Sequence, residues 1–145
     1  MSTANRVMDG GAALASDVVN VGAVSLTWDP KTRLAVLRFA EPTVGTGPAA
    51  IILVKALEKW VGADARPFGL LADTKNNPSV DSHWRATWAS FYKIHRKSGI
   101  MAVFNMGAVL RASAELFRLA LGMNLKGFNR EEDARAWLRA QGIQA

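Results

Sequence analysis

"FGLLADTKNNPSVDSHWRATWASFYKIHRKSGIMAVFN", residues Phe68–Asn105, holds one complete repeat of the fold's logic. Phe68–Asp73 is a short apolar run that reads as a buried strand. The polar loop "TKNNPSVDS" follows, and then a helix that starts near Trp84. "GIMAVFN" (Gly99–Asn105) is a second apolar, strand-like run. Two buried strands joined by a helix lie parallel, because a tight turn can only join antiparallel neighbours.

The same alternation continues in both directions. Downstream come a helix over about Ala108 to Gly122, a short strand "LKGF" (Leu125–Phe128) and a final helix "REEDARAWLRAQG" ended by Gly142. Upstream, "VSLTW" (Val24–Trp28) alternates apolar and polar residues, "DPKT" (Asp29–Thr32) turns, and "RLAVLRF" (Arg33–Phe39) completes a hairpin. The loop "EPTVGTGP" enters a helix, with Thr46 as its cap and Pro48 in its first turn. That helix, "AAIILVKALEKWV", gathers Leu53, Leu57, Trp60 and Val61 opposite Lys55, Glu58 and Lys59. The predicted fold class is α/β: a mixed sheet of about five strands, an N-terminal hairpin followed by parallel strands, with four helices. Crossovers between the parallel strands are expected to be right-handed. Residues 1–20 are rich in small residues without a firm period and are expected to be a mobile tail, leaving residues 21–145 as one domain.

"WRATWASFYKIHRK" mixes rings with cations, as a nucleic-acid surface would. At about 100° per residue, however, Trp84, Trp88, Phe91 and His95 share one sector, while Arg85, Lys93, Arg96 and Lys97 lie on the far side. Single-stranded nucleic acid needs aromatics and cations on one wet surface. The segregation therefore predicts rings against the sheet, bases in water, Tyr92 at the border and no nucleic-acid partner. His95 reads as a hydrogen-bonded core residue and His83 as exposed and idle. With two histidines and no cysteine, no metal site and no cofactor are expected.

The 145-residue chain carries a net charge of +6. Residues 1–81 contain eight bases and eight acids, and residues 82–145 contain ten and four, so the whole excess sits in the second half. A basic half can face an acidic partner, and charge alone does not choose it. No apolar run is long enough for a transmembrane segment, and the N-terminus lacks a basic patch followed by an apolar core, so the expected location is cytoplasmic. No P-loop, nucleophile elbow or dinucleotide-binding glycine pattern occurs, and no catalytic residue or enzyme activity is expected. In the third helix, Arg111, Glu115 and Arg118 form one thin polar stripe, with Arg111 and Glu115 spaced to pair. Leu110, Leu116, Phe117, Leu119 and Leu121 point elsewhere, which is more apolar surface than one sheet contact uses. Such an excess implies a partner, a homodimer or an apolar ligand pocket, or else cover by residues 1–23.

The order of elements resembles the STAS domains, named for the anti-sigma-factor antagonists, in their bacterial SpoIIAA-like branch. Four stretches carry the resemblance: the hairpin "VSLTWDPKTRLAVLRF", the strand "FGLLADTKNN" ending in an Asp, "FYKIHRKSGIMAVFN", and the ending "LKGFNREEDARAWL". The resemblance covers Val21 to Gly142. It implies a right-handed β/α superhelix with helices largely on one side of the sheet, and a non-enzymatic signalling role in binding partner proteins. Antagonists of the partner-switching type carry a phosphorylated Ser or Thr in an Asp-Ser-(Ser/Thr)-Gly loop. Here the matching loop reads "DTKNNPSVDSHW", without the glycine, although Thr74, Ser79 and Ser82 supply hydroxyls for a phospho-switch there. Ser82 is also the natural cap of the helix.

The expected function is a regulatory or scaffold module that binds an acidic protein partner, with Leu116, Phe117, Arg111 and Arg118 at the interface. The alternative is a carrier or sensor of a lipid-like molecule held between the sheet and helices 2 and 3. Its pocket would be lined by Trp88 and Phe91, with His95 as a polar anchor.

Overall fold

The computed structural model describes residues 17–145, except for the side chains of Val109, Ser113, Leu116, Phe117, Ala120 and Leu121 in the third helix. The elements are β1 (Asp17–Val21), β2 (Val24–Asp29), β3 (Leu34–Phe39), α1 (Gly47–Val61), β4 (Phe68–Asp73), α2 (Ser82–His95), β5 (Gly99–Phe104), α3 (Ala108–Leu121), β6 (Asn124–Phe128) and α4 (Glu131–Ala140). The strands form one sheet in chain order, antiparallel from β1 to β3 and parallel from β3 to β6.

The expected class, a mixed sheet with four helices, is the one found, with six strands where about five were predicted. The additional strand is β1, which takes residues 17–20 out of the predicted tail; the remainder of that tail, residues 1–16, lies outside the described residues. β1 is joined to β2 through Gly22 at φ 58, a left-handed conformation that glycine adopts without steric cost. Its backbone pairs from Asp17 with Trp28 to Val21 with Val24. Asp17, Val19 and Val21 are half-buried on one face and Val18 and Asn20 exposed on the other, so no fully buried face writes an apolar pattern into the strand.

From β2 onward the period of two is plain. Leu26, Trp28, Leu37, Phe39, Phe68 and Leu70 face one side and join the larger core cluster with α1 and α2. Leu34, Leu71, Ile100, Ala102 and Phe104 face the other side, where Ala134 and Leu138 of α4 and Ile143 cover them. This is why "RLAVLRF" and "GIMAVFN" are apolar at nearly every position: both of their faces are buried. α1 and α2 occupy one face of the sheet, and α4 crosses the other under its parallel half.

In α2 the segregation of rings from bases holds, with one correction. Tyr92, expected at the border, is completely buried against Phe68, Trp88 and Phe91. Phe68 of β4 and Gly99 of β5 close on its ring, and the wheel of an isolated helix does not register neighbours from other elements. Burial pushes the Tyr92 phenol well above its ordinary pKa, so it stays neutral.

Candidate functional site

The loops before α1 and α2 meet at the carboxyl ends of β3 and β4, where parallel α/β sheets open their crevices. They zip together through the backbone: Thr43 N donates to Asn76 O, Gly45 N to Ser79 O, and Asp81 N to Gly45 O, at 3.0, 3.0 and 2.8 Å. The buried Asn77 amide donates to Thr43 O at 3.0 Å and to Ser79 O at 2.8 Å. Asp81, not the expected Ser82, caps α2, because Asp81 holds the extended conformation at the helix entrance (φ −83, ψ 173). One Asp81 oxygen accepts from Trp84 N at 2.8 Å and the other from Gly47 N at 3.3 Å, so a single carboxylate serves the starts of both helices. The Trp84 bond, followed by that from Gly47, holds the Asp81 carboxyl below the usual range. Thr46 caps α1 as expected, accepting from Ala49 N at 3.4 Å. The two helix starts are so close that a Cβ on Gly47 would fall 2.3 Å from the Cβ of His83.

Beside this zipped rim lies a cavity of about 130 Å³ between the sheet, α2 and α3. Phe39, Leu70, Trp84, Trp88, Met106 and Leu110 supply most of its character, with Thr74, Asn77 and Arg85 as its polar members. Trp84 stands at 6.0 Å from both Phe39 and Trp88, ring centre to ring centre. The Trp88 indole nitrogen is buried and has no hydrogen-bond partner among the described residues.

The predicted site residues fall in three places. Trp88 lines the cavity, but Phe91 and His95 do not. Phe91 is fully buried one turn further along α2, and the His95 ring lies 4.5 Å from it at the end of the helix. His83 is exposed, with its Cβ against the α1 start. In the rim loop, the Thr74 hydroxyl donates to Phe104 O at 2.9 Å, Ser79 O accepts from Gly45 N, and Ser82 is exposed on the first turn of α2. On α3, Arg118 pairs with Glu115, displacing the expected Arg111–Glu115 pair, and Arg111 instead donates to Asn129 Oδ1 at 3.0 Å. The side chains of Leu116 and Phe117 are outside the described residues.

Asp73, at the end of β4, accepts from Arg38 Nη1 at 2.9 Å, Asn105 Nδ2 at 3.0 Å and Lys75 N at 3.0 Å. Arg38 also reaches Glu131 at 3.3 Å, and Glu131 accepts from Arg135 Nε at 2.8 Å. Arg135 chiefly, with Arg38, holds the Glu131 carboxyl below its ordinary range. This chain of charges ties α4 to the sheet. On the opposite side, Ile51 and Ile52 of α1 are each 48% exposed and Ile94 of α2 is 73% exposed. Lys55, Lys59, Lys93, Arg96 and Lys97 are exposed on the same helices or just beyond them, and no ion pair among the described residues involves any of them.

Sequence reasoning missed Arg85 and the rim formed by Asn77 and Val80. The signals that could have found the zipped loops are the small residues in "VGTGP" and the acid three residues before Trp84. Among the described residues there is no group of three His, Asp or Glu side chains arranged to hold a metal ion. No described helix is long and apolar enough to cross a membrane.

No protein-family model and no curated protein matches the sequence. Several solved structures share its architecture, two of them as follows. A protein from Shewanella loihica PV-4, of the DUF3478 family with a SpoIIAA-like fold, superposes with a TM-score of 0.60 at 14% identity, over 90% of this chain and 99% of the other. The murine anion transporter Solute Carrier 26 family member A9, in its inward-facing state, superposes with a TM-score of 0.55 at 16% identity. That match covers 85% of this chain and 22% of the transporter. The fold is SpoIIAA-like, as the resemblance implied.

Proposed function

We propose that this STAS-type module is non-enzymatic and regulatory, acts in the cytoplasm, and binds an acidic protein partner through the outer layer of α1 and α2. The observation that carries the reading is the pairing of exposed isoleucines with bases: Ile51, Ile52 and Ile94 stand among Lys55, Lys59, Lys93, Arg96 and Lys97. Apolar anchors among predominantly basic side chains, with the exposed Glu58 of α1 between them, are the composition of a docking surface, with the charges steering the encounter and the apolar side chains giving affinity.

The test is quantitative affinity capture with wild type, with the double variant Ile52→Asp, Ile94→Asp and with Arg111→Ala as a control, followed by titration of the identified partner. The partner should be acidic, bind more weakly as salt rises, and be lost from the double variant while circular dichroism is unchanged. Equal binding by the double variant would remove this face from the proposal. Native mass spectrometry of the purified chain would show whether a second copy occupies the face.

One observation favours a second reading, a carrier or sensor of a small molecule: the apolar cavity that Trp88 lines.

A further inference from the structure

Resting on that second reading, we propose that the cavity under α2 and α3 is a site for a small aromatic monocarboxylic acid of about the size of benzoate, with its ring inside and its carboxylate toward Arg85 and Trp88. Volume sets the first limit. A cavity of about 150 Å³ lined by aliphatic and aromatic side chains holds one benzene molecule, and this one measures about 130 Å³. A single ring fits, and the long acyl chains of a membrane lipid do not.

The wall chemistry sets the second limit. Phe39, Trp84 and Trp88 offer ring faces and edges, and Met101 and Met106 offer thioether sulfurs; both surfaces favour a flat π-system over a branched alkane. Charge sets the third limit. Two side chains at the cavity have N–H donors to spare: Trp88, whose buried indole N–H has no hydrogen-bond partner among the described residues, and Arg85 one turn earlier on α2, whose guanidinium has further N–H groups beyond the one it uses. Arg85 donates from Nη1 to Val80 O at 3.0 Å and forms no ion pair with any described residue. The other two polar side chains are already engaged, Thr74 with Phe104 O and Asn77 with Thr43 O and Ser79 O. A ligand that satisfies the two donors brings an acceptor and a negative charge. A buried donor left unpaired costs free energy that such a ligand recovers, and a bond to a charged acceptor is among the stronger kinds.

The chain has five tryptophans, and the indole N–H signal of Trp88 is identified in a proton–nitrogen correlation spectrum by its loss in Trp88→Phe. Titration of the full chain with benzoate, with toluene as the uncharged probe of similar shape, is expected to give saturable binding of both and a benzoate-specific downfield shift of the Trp88 indole proton. Arg85→Gln should weaken benzoate roughly tenfold, the value of about one charged hydrogen bond, and leave toluene unchanged. Ala114→Leu, which adds three carbons to the α3 wall, should abolish binding of both. Saturable binding of toluene with no preference for benzoate would overturn the acid assignment while leaving an apolar pocket. Failure of the wild-type chain to bind either probe would overturn the pocket itself, and with it the carrier reading.

Discussion

α1 and α3 cover two ends of one sheet face in opposite ways. α1 is capped by Thr46, held to Asp81 through Gly47 N, and buries Leu53, Leu57 and Val61 almost completely. α3 begins at Gly107 with no side-chain cap, leaves Leu119 64% exposed, and has the cavity between itself and the sheet. The difference separates two duties within one face. Close packing against α1 and α2 supplies the stability, and this leaves the α3 end free to keep space.

The widest separation should appear in core truncations. Leu53→Ala or Leu57→Ala should cost about 2–5 kcal/mol by urea unfolding, and Leu110→Ala, at the cavity wall, less than about 1 kcal/mol. Equal losses would erase the distinction between the two ends. Next comes Gly47→Ala, which drives a Cβ into that of His83; it should cost about 1–3 kcal/mol, and Gly47→Ala in a His83→Gly background should recover part of that.

Acid should act through the α1–α2 rim and the α4 anchor. The folded-state pKa values of Asp81 and Glu131 are depressed, so their contribution is full above the unfolded carboxylate range and is lost as pH falls through the folded values. Thermal melts should show the midpoint falling by several degrees from about pH 5 downward. Asp81→Asn, which keeps an acceptor for Trp84 N, should flatten that fall. The smallest effect belongs to the outer face: Ile94→Ser should shift stability by less than about 0.5 kcal/mol while weakening the partner.

How far the fold was legible follows from which interactions are local. The parallel strands could be read because burial on both faces leaves almost no polar position in "FGLLAD" or "GIMAVF", and α1 and α2 because each has one apolar stripe. β1 was not legible, since its burial alternates only between half-buried and exposed and its place is set by pairing with β2. The choice of Asp81 over Ser82 as cap was ambiguous because both residue types can cap, and only the backbone conformation at the entrance decides. Tyr92 was misplaced because Phe68 of β4 and Gly99 of β5, both outside the helix, close on its ring. The cavity is the least local feature of all. Its walls come from β3, β4, β5, β6, α2, α3 and the loop between β4 and α2, and no pattern within one segment encodes a volume between so many.

The Asp81 carboxylate, shared between Gly47 N and Trp84 N, carries a consequence for how the cavity rim behaves over time. Val80 and Arg85, both at the rim, flank it in sequence, and Gly45 bridges to Val80 from the other loop. Displacing the rim therefore loosens two helix entrances together, so residues 43–47 and 76–84 form one cooperative unit of local unfolding. In deuterium exchange, their amides would report a single opening event.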